Sequence, residues 1–288
     1  MSFQGGDHGK LPGSNQNIFS SSVIGGRPYQ EDMILNVTGD GVIIIGVADG
    51  HTHPGAPNHA ANFSCTIFPL SLINRLKSVT DSTPDDEVIE LVVTLFREGN
   101  EHLRSLFPEC KSGTTIAFGI IVGNRLIVCS VGDSDALVEY HDGRFHYSPY
   151  HTPGNGDERK RVKAAGGHVF GARVHKTKSI KSSGLSVTRA LGDFDFSGLI
   201  PDPDVTIHEL LKVKTVCFLS DGVRERMSLD YQMETEEDIR KILMCFANEA
   251  ITSGKDPAVV LTTYAVDGRS MADNASAVVL SFPPPHSP

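Results

Sequence analysis

Three apolar, strand-like runs in this chain end at an aspartate, and a fourth begins just after one. Val42–Ala48 leads into Asp49-Gly50-His51, Leu126–Val131 into Gly132-Asp133-Ser134, and Thr215–Ser220 into Asp221-Gly222, while Asp273-Asn274 precedes Ala275–Phe282. A further acidic point, Glu31-Asp32, follows Arg27 at a spacing of four. Carboxylates at strand ends, gathered on one edge of a sheet, crowd negative charge that water alone relieves poorly. Hard divalent cations with oxygen ligands are the usual relief. Asp-Gly after a strand is also the strongest hairpin-turn signal, so each motif taken singly reads as a turn. Taken together they point to a metal site for phosphate chemistry.

The elements that must carry these residues are mixed. Gly39-Asp40-Gly41, Gly123-Asn124 and Asp142-Gly143 each separate two strand-like runs, which predicts consecutive hairpins and hence antiparallel sheet. Thr83-Pro84-Asp85-Asp86 opens a helix carrying Val88, Leu91, Val92, Leu95, Phe96 and Leu103 at helical spacing. Thr235-Glu236-Glu237-Asp238 opens another that Gly254 ends, and Asp256-Pro257 opens a shorter one. Residues 58–77 read as helix with a break at Pro69, and 157–165 as a short basic helix. Each helix has one apolar face, so each lies on a sheet. The simplest packing is α+β, a sandwich of two antiparallel β-sheets flanked by α-helices, four layers deep. No repeat at a fixed period is visible.

The chain has 288 residues, 39% hydrophobic and 21% charged, an ordinary globular composition. A mobile tail is expected over 1–19, a single catalytic domain over 20–282 and a second tail over 283–288. No apolar run approaches the ~20 residues of a membrane span, and Met1–Ser14 lacks an apolar signal-peptide core. The formal net charge of −9 argues against a nucleic-acid partner. Cys65, Cys110, Cys129, Cys217 and Cys245 form no C-x-x-C pair, which suggests a reducing compartment, cytosol or nucleus. A monomer is expected.

Eight stretches, in order, resemble the metal-dependent protein phosphatases, the protein phosphatase 2C family. They are Arg27-Pro-Tyr-Gln-Glu31-Asp32, Val47-Ala-Asp49-Gly50-His51, Ser112-Gly-Thr-Thr115, Val131-Gly-Asp133-Ser134, Ala165-Gly-Gly167, Leu185-Ser-Val-Thr-Arg-Ala-Leu-Gly-Asp193, Phe218-Leu-Ser-Asp221-Gly222 and Asp273-Asn274. The resemblance implies a phosphoserine/phosphothreonine phosphatase acting on phosphorylated proteins, in which a water or hydroxide shared by two Mg²⁺ or Mn²⁺ ions attacks phosphorus. By the same resemblance Asp49 would bridge both ions, Glu31 and the Gly50 carbonyl would bind one, and Asp221 and Asp273 the other. Asp133, with Asp221, would help to hold a third, weaker ion. Asp32 would orient water, Arg27 would grip phosphate oxygens, and His51 would protonate the leaving group. These assignments make chemical sense. Two ions ~3.5–4 Å apart can share and acidify one water, a guanidinium matches phosphate oxygens, and an imidazole can donate a proton near neutral pH.

The chain departs from the family pattern in several places. Thr52-His53-Pro54 stands where glycines are usual, Asp135 where arginine is usual, and Arg224 where tryptophan is usual; the chain has no tryptophan. In a strand, positions 133 and 135 face the same side, so if that geometry holds Asp135 faces the site and strengthens the outer ion; the competing reading is a surface aspartate paired with a nearby lysine or arginine. Asp193, in a loop, is expected to be structural. Two alternatives compete with the phosphatase reading: a catalytically inactive phosphatase-like regulatory or binding protein, and a zinc hydrolase built on His51, His53 and His59.

Overall fold

The computed structural model describes residues 9–10, 17–52, 56–231 and 235–284. The first part of the chain forms β1 (Gly9–Lys10), β2 (Asn17–Val23), β3 (Asp32–Gly39), β4 (Val42–His51), α1 (His59–Thr66), α2 (Phe68–Leu76) and α3 (Asp85–Leu106). The middle forms β5 (Gly113–Val122), β6 (Arg125–Val131), β7 (Asp135–Tyr140), β8 (Phe145–Tyr147), α4 (Gly156–Ala164), β9 (His168–Phe170), β10 (Arg173–His175), β11 (Gly184–Leu185) and β12 (Leu191–Gly192). The last part forms β13 (Asp204–Glu209), β14 (Val213–Leu219), α5 (Asp221–Tyr231), α6 (Glu236–Thr252), α7 (Pro257–Val266) and β15 (Ala275–Ser281).

Two large sheets result, ordered β1-β2-β15-β14-β7-β8 and β13-β6-β5-β4-β3, with β12 beside β5. A third, small sheet has the order β11-β10-β9. The pairings are antiparallel, as the hairpin turns predict. The helices end where their signals stand. Asn58, Asn155, Thr235 and Asp256 cap α1, α4, α6 and α7 with side-chain oxygens. Pro69 splits 59–76 into α1 and α2.

Strand alternation assigns each apolar residue to a layer. In β4, Val42, Ile44 and Ala48 pack toward α1–α3, whereas Ile45 and Val47 point into the space between the sheets. In β14, Val216 and Phe218 point between the sheets, and Cys217 and Leu219 pack on α5–α7. Both faces of these strands are buried, which is why their sequences are near-continuous apolar runs. The order of layers is helices, sheet, sheet, helices, as expected. A fourth cluster, Val162, Val169, Val174 and Phe196, lies under the small sheet.

Three features escape the sequence reading. α5 starts at Asp221 itself, the small sheet was not expected, and β2 begins at Asn17 and pairs with β15, which brings residues assigned to the tail into the sandwich. The rest of the expected tails and the departure at His53-Pro54 lie outside the described residues, apart from β1, Pro283 and Pro284. Among the described residues no helix is long and apolar enough to cross a membrane.

Candidate active site

Antiparallel pairing gathers the acidic strand ends at one edge of the sandwich. Asp32 opens β3 directly opposite Asp49 near the end of β4, and Asp49 faces Thr115 on β5. Asp133 follows β6, Asp221 follows β14, and Asp273 precedes β15. An open cleft of about 200 Å³ is lined there by Arg27, Glu31, Asp49, Gly50, His51, Asp133, Asp221 and Asp273. Every residue expected to carry the chemistry therefore stands in this wall except Asp32. That carboxylate is buried behind the wall and accepts a hydrogen bond from Ser220 Oγ at 2.7 Å.

The wall depends on close backbone approaches. A side chain at Gly222 would strike the Asn274 carbonyl, so glycine lets the start of α5 lie against β15 and brings Asp221 and Asp273 to one place. Asn274 ties the other side. Its Oδ1 accepts from the Glu31 N–H at 2.8 Å, and its Nδ2 donates to the carbonyls of Ile24 and Tyr29. The Gly50 N–H and Asn58 Nδ2 both donate to the Glu31 carbonyl.

Most of these carboxylates lack a full counter-charge. Burial, then Asp32, Asp221, Asp133 and Asp273, hold the Asp49 carboxyl well above the usual range. Burial and the neighbouring Asp221 and Asp273 push Asp32 up to about 7 despite hydrogen bonds from Ser220 and Ser276. Burial and Asp221 push Asp133 up to about 7, although Arg224 and His51 oppose the rise. Asp221 and Glu31 are raised as well, chiefly by burial. Among the described residues no three His, Cys, Asp or Glu side chains form a ready-made metal-holding group. The acids ring the cleft, and Asp273 is engaged by Arg27 Nη2 at 2.5 Å. The donor set is nevertheless all oxygen and rich in negative charge, which fits hard divalent cations.

His51 corrects one expectation and weakens another. Its Nε2 donates to Asp193 Oδ2 at 2.6 Å, so Asp193 reaches the cleft through His51 and is more than a loop residue. Asp193 has the left-handed backbone angle φ 49°, and a side chain at Gly113 would strike both its carboxylate and the His51 ring. Burial lowers the His51 pKa, but Asp193 more than offsets this by charge and hydrogen bond, with help from Asp133 and Glu31, so the ring sits above its ordinary value. The proposed zinc trio is not assembled among the described residues. His51 is committed to Asp193, His59 stacks on Phe107 with centroids 4.1 Å apart, and His53 lies outside the described residues.

Asp135 corrects a further expectation. It does not face the cleft. β7 starts at Asp135, so Asp133 lies before the strand and alternation does not relate the two. The Asp135 side chain is fully buried; it accepts from Arg240 Nε at 2.8 Å and from Tyr150 Oη at 2.7 and 3.0 Å. Arg224 Nη1 lies 3.9 Å from its other oxygen, and the Arg224 and Arg240 guanidiniums lie 4.2 and 3.9 Å from the Tyr150 ring centroid. The departures at 135 and 224 thus meet in a single buried cluster.

The sequence reading assigned no role to Asn274, Asn58, Ser220 or Arg173. Asn274 and Ser220 stand in the quoted motifs, each beside an acid, which was the available signal, whereas Asn58 lies outside them. Arg173 lines the cleft from β10, and nothing local in the sequence marks it.

Comparison with known proteins accords with this geometry. The family model for protein phosphatase 2C matches residues 40–260. "Probable protein phosphatase 2C 11" of Arabidopsis thaliana is 27% identical over 97% of this chain and 71% of its own length. "Probable protein phosphatase 2C 71" of the same plant is 28% identical over 89% of this chain, which spans 57% of that relative. In fold, the crystal structure of a serine-threonine phosphatase 2C from Toxoplasma gondii is similar, with a TM-score of 0.71 at 20% identity, over 97% of this chain and 99% of that one. With more than half its length matched by the family model and with the sandwich and its acidic edge in place, this chain belongs to the protein phosphatase 2C family of protein serine/threonine phosphatases.

Proposed function

We propose that the cleft hydrolyses phosphoserine and phosphothreonine in proteins with two Mg²⁺ or Mn²⁺ ions, and that a third, weaker ion sits at its outer side. The observation that carries this reading is the surplus of buried, unbalanced carboxylate around Asp49. Asp49 neighbours Asp32, Asp133, Asp221 and Asp273 and is suited to be shared. Glu31 and the Gly50 carbonyl would hold one ion, Asp221 and Asp273 the other, and Asp133 with Asp221 the third. Bound there, the ions would neutralise the carboxylates, polarise phosphoryl oxygens and acidify water.

The chain's own groups do the rest. Asp32, buried behind the wall and held by Ser220, would orient water from there. Arg27 is half exposed, with 51% of its side chain accessible, and can exchange the Asp273 carboxylate for phosphate oxygens. A serine or threonine alkoxide leaves poorly without a proton, and His51 is the donor assigned to it. Asp193 favours the protonated imidazole and holds its ring by a hydrogen bond. An inactive regulatory protein would be favoured by loss of a ligand, and each proposed side-chain ligand position retains its carboxylate.

The test is hydrolysis of a phosphothreonine peptide by chelator-treated protein, with and without Mn²⁺. Turnover that returns only with the metal supports the reading. Turnover that is insensitive to chelation, or lost with zinc alone restoring it, overturns it.

A further inference from the structure

Residues 159–192 hold nine lysines and arginines and no aspartate or glutamate, within a chain of net charge −9. This segment builds most of α4 and the whole of the small sheet, and then supplies Gly184–Val187 to the cleft wall. Five of the nine cations have partners within the chain. Arg161 and Arg189 both pair with Glu158, Arg159 donates to the carbonyls of Pro153 and Gly171, Lys160 pairs with Asp157, and Lys176 with Asp195.

The other four, Lys163, Arg173, Lys178 and Lys181, are exposed and have no ion pair among the described residues. Lys163 stands on α4, and the other three belong to the small sheet and its loop. Arg173 lines the cleft with Arg27, and its Nη1 donates to the Gly184 carbonyl at 2.7 Å, which braces it across the small sheet. Lys178 and Lys181 stand on the β10–β11 loop, residues 176–183. The loop is closed on itself: the Ser182 N–H and Oγ both donate to the Ser179 carbonyl, and the Lys176 N–H donates to that of Ser183. Ile180, 72% exposed, shares its tip. The small sheet rests on its own apolar cluster of Val162, Val169, Val174 and Phe196, so the basic loop is carried on a packed base at the rim of the cleft.

We propose that Arg173, Lys178 and Lys181 form a docking surface for aspartate and glutamate residues flanking the phosphorylated residue of the substrate protein. This rests on the phosphatase reading of the cleft. The argument is charge complementarity. An acidic protein with an acidic cleft repels an anionic substrate, and charges within about 8–10 Å are felt through physiological salt. A basic loop carried by the sheet whose Arg173 and Gly184 line the cleft counters that repulsion locally and selects partners by sign. The partner is an acidic phosphoprotein segment; a nucleic acid or an anionic membrane would use the same charge but would not discriminate between peptides.

The experiment uses the full chain with Mn²⁺ and three substrates: a phosphothreonine peptide with flanking glutamates, the same peptide with flanking lysines, and p-nitrophenyl phosphate. The double variant Lys178→Glu/Lys181→Glu should raise KM for the acidic peptide about tenfold and lower it for the basic one, with kcat little changed. Hydrolysis of p-nitrophenyl phosphate should not change. The milder Lys178→Ala/Lys181→Ala, with a thermal melt, guards against misfolding and should show the same direction with a smaller shift. Equal effects on both peptides, or none, would overturn the proposal. So would tight binding of anionic vesicles or RNA with no preference between the peptides. Fluorescence anisotropy of labelled peptides reads the docking without turnover. If no substrate is hydrolysed, the phosphatase reading fails, while the anisotropy still decides whether acidic flanks are bound.

Discussion

Asp133 and Asp135 are separated by a single residue and both are buried, yet they belong to opposite kinds of electrostatic environment. Asp135 is surrounded by Arg240, Arg224 and Tyr150 and has a partner for each oxygen. Asp133 faces Asp49 and Asp221, and its carboxyl is pushed up to about 7. Burying a charge is tolerable when partners and hydrogen bonds replace water, and the Asp135 cluster meets that condition. The cleft acids do not meet it, and their repulsion is the feature that suits them to cations. Arg224 stands between the two regions. It approaches Asp135 and also opposes the rise of Asp133 and Asp221. Where the family has arginine at 135 and tryptophan at 224, this chain has moved the positive charge from the strand to the helix, and Tyr150 supplies the aromatic face between Arg224 and Arg240.

The contrast can be broken first at its balanced side. Asp135→Ala leaves two guanidiniums buried without their anion, and should cost about 3–5 kcal/mol in urea unfolding. Asp133→Asn removes a repulsion and should stabilise the chelator-treated protein. Equal destabilisation by both substitutions would erase the distinction between the regions.

On the unbalanced side, Asp221→Asn and Asp273→Asn each remove a carboxylate charge from the cleft while keeping its shape. Turnover at saturating Mn²⁺ should drop on the order of 10²–10³-fold, with the fold intact by circular dichroism. A variant with wild-type turnover would exclude that residue as a ligand.

His51 adds to the contrast because, like Arg27 with Asp273, it has a carboxylate of its own, Asp193, at the cleft. His51→Gln should slow a phosphoserine peptide by ~10²–10⁴-fold and p-nitrophenyl phosphate far less, since nitrophenolate departs without a proton. Asp193→Asn should reproduce about a tenfold part of that difference by loosening the ring. Equal losses on both substrates would leave His51 a positioning role only.

The smallest effect expected is a pH signature of opposite sign in two places. Asp32 and Asp133 lie at about 7 in the folded chain against an ordinary 3.8, so the folded state holds more protons than the unfolded one. Their contribution is full below the lower value and is lost as pH rises toward 7. Glu158 is different. Burial raises its carboxyl, but Arg189, Arg161 and Thr188 more than offset this and lower it from 4.5 to about 2, so its contribution is present above the ordinary value and is lost as pH falls. Melting temperatures of chelator-treated protein should therefore fall between about pH 4 and 7, and Mn²⁺ should abolish that fall. Glu158→Gln should flatten the acid limb only. A metal-free melt that rises steadily through neutral pH would contradict the unbalanced cleft.

Local rules were legible in the residues alone. Asp-Gly turns, capping residues and two kinds of apolar periodicity sufficed for the hairpins, most helices and the sandwich, because each depends on neighbours a few residues away. The same motifs marked Asp49, Asp133, Asp221 and Asp273, since the end of a strand is a local feature and antiparallel order brings such ends together. Which charges meet is set by long-range packing. His51 and Asp193 are 142 residues apart, and Asp135 and Arg240 are 105 apart. No spacing rule links such pairs, because a side-chain ion pair forms wherever packing leaves two groups facing each other away from water. The direction of Asp135 was misread for that reason: strand alternation applies only once the strand has begun, and only the folded chain shows that β7 begins there. The basic segment around Arg173 was visible as composition, but its place at the rim of the cleft comes from a small sheet that two- and three-residue strands could not announce.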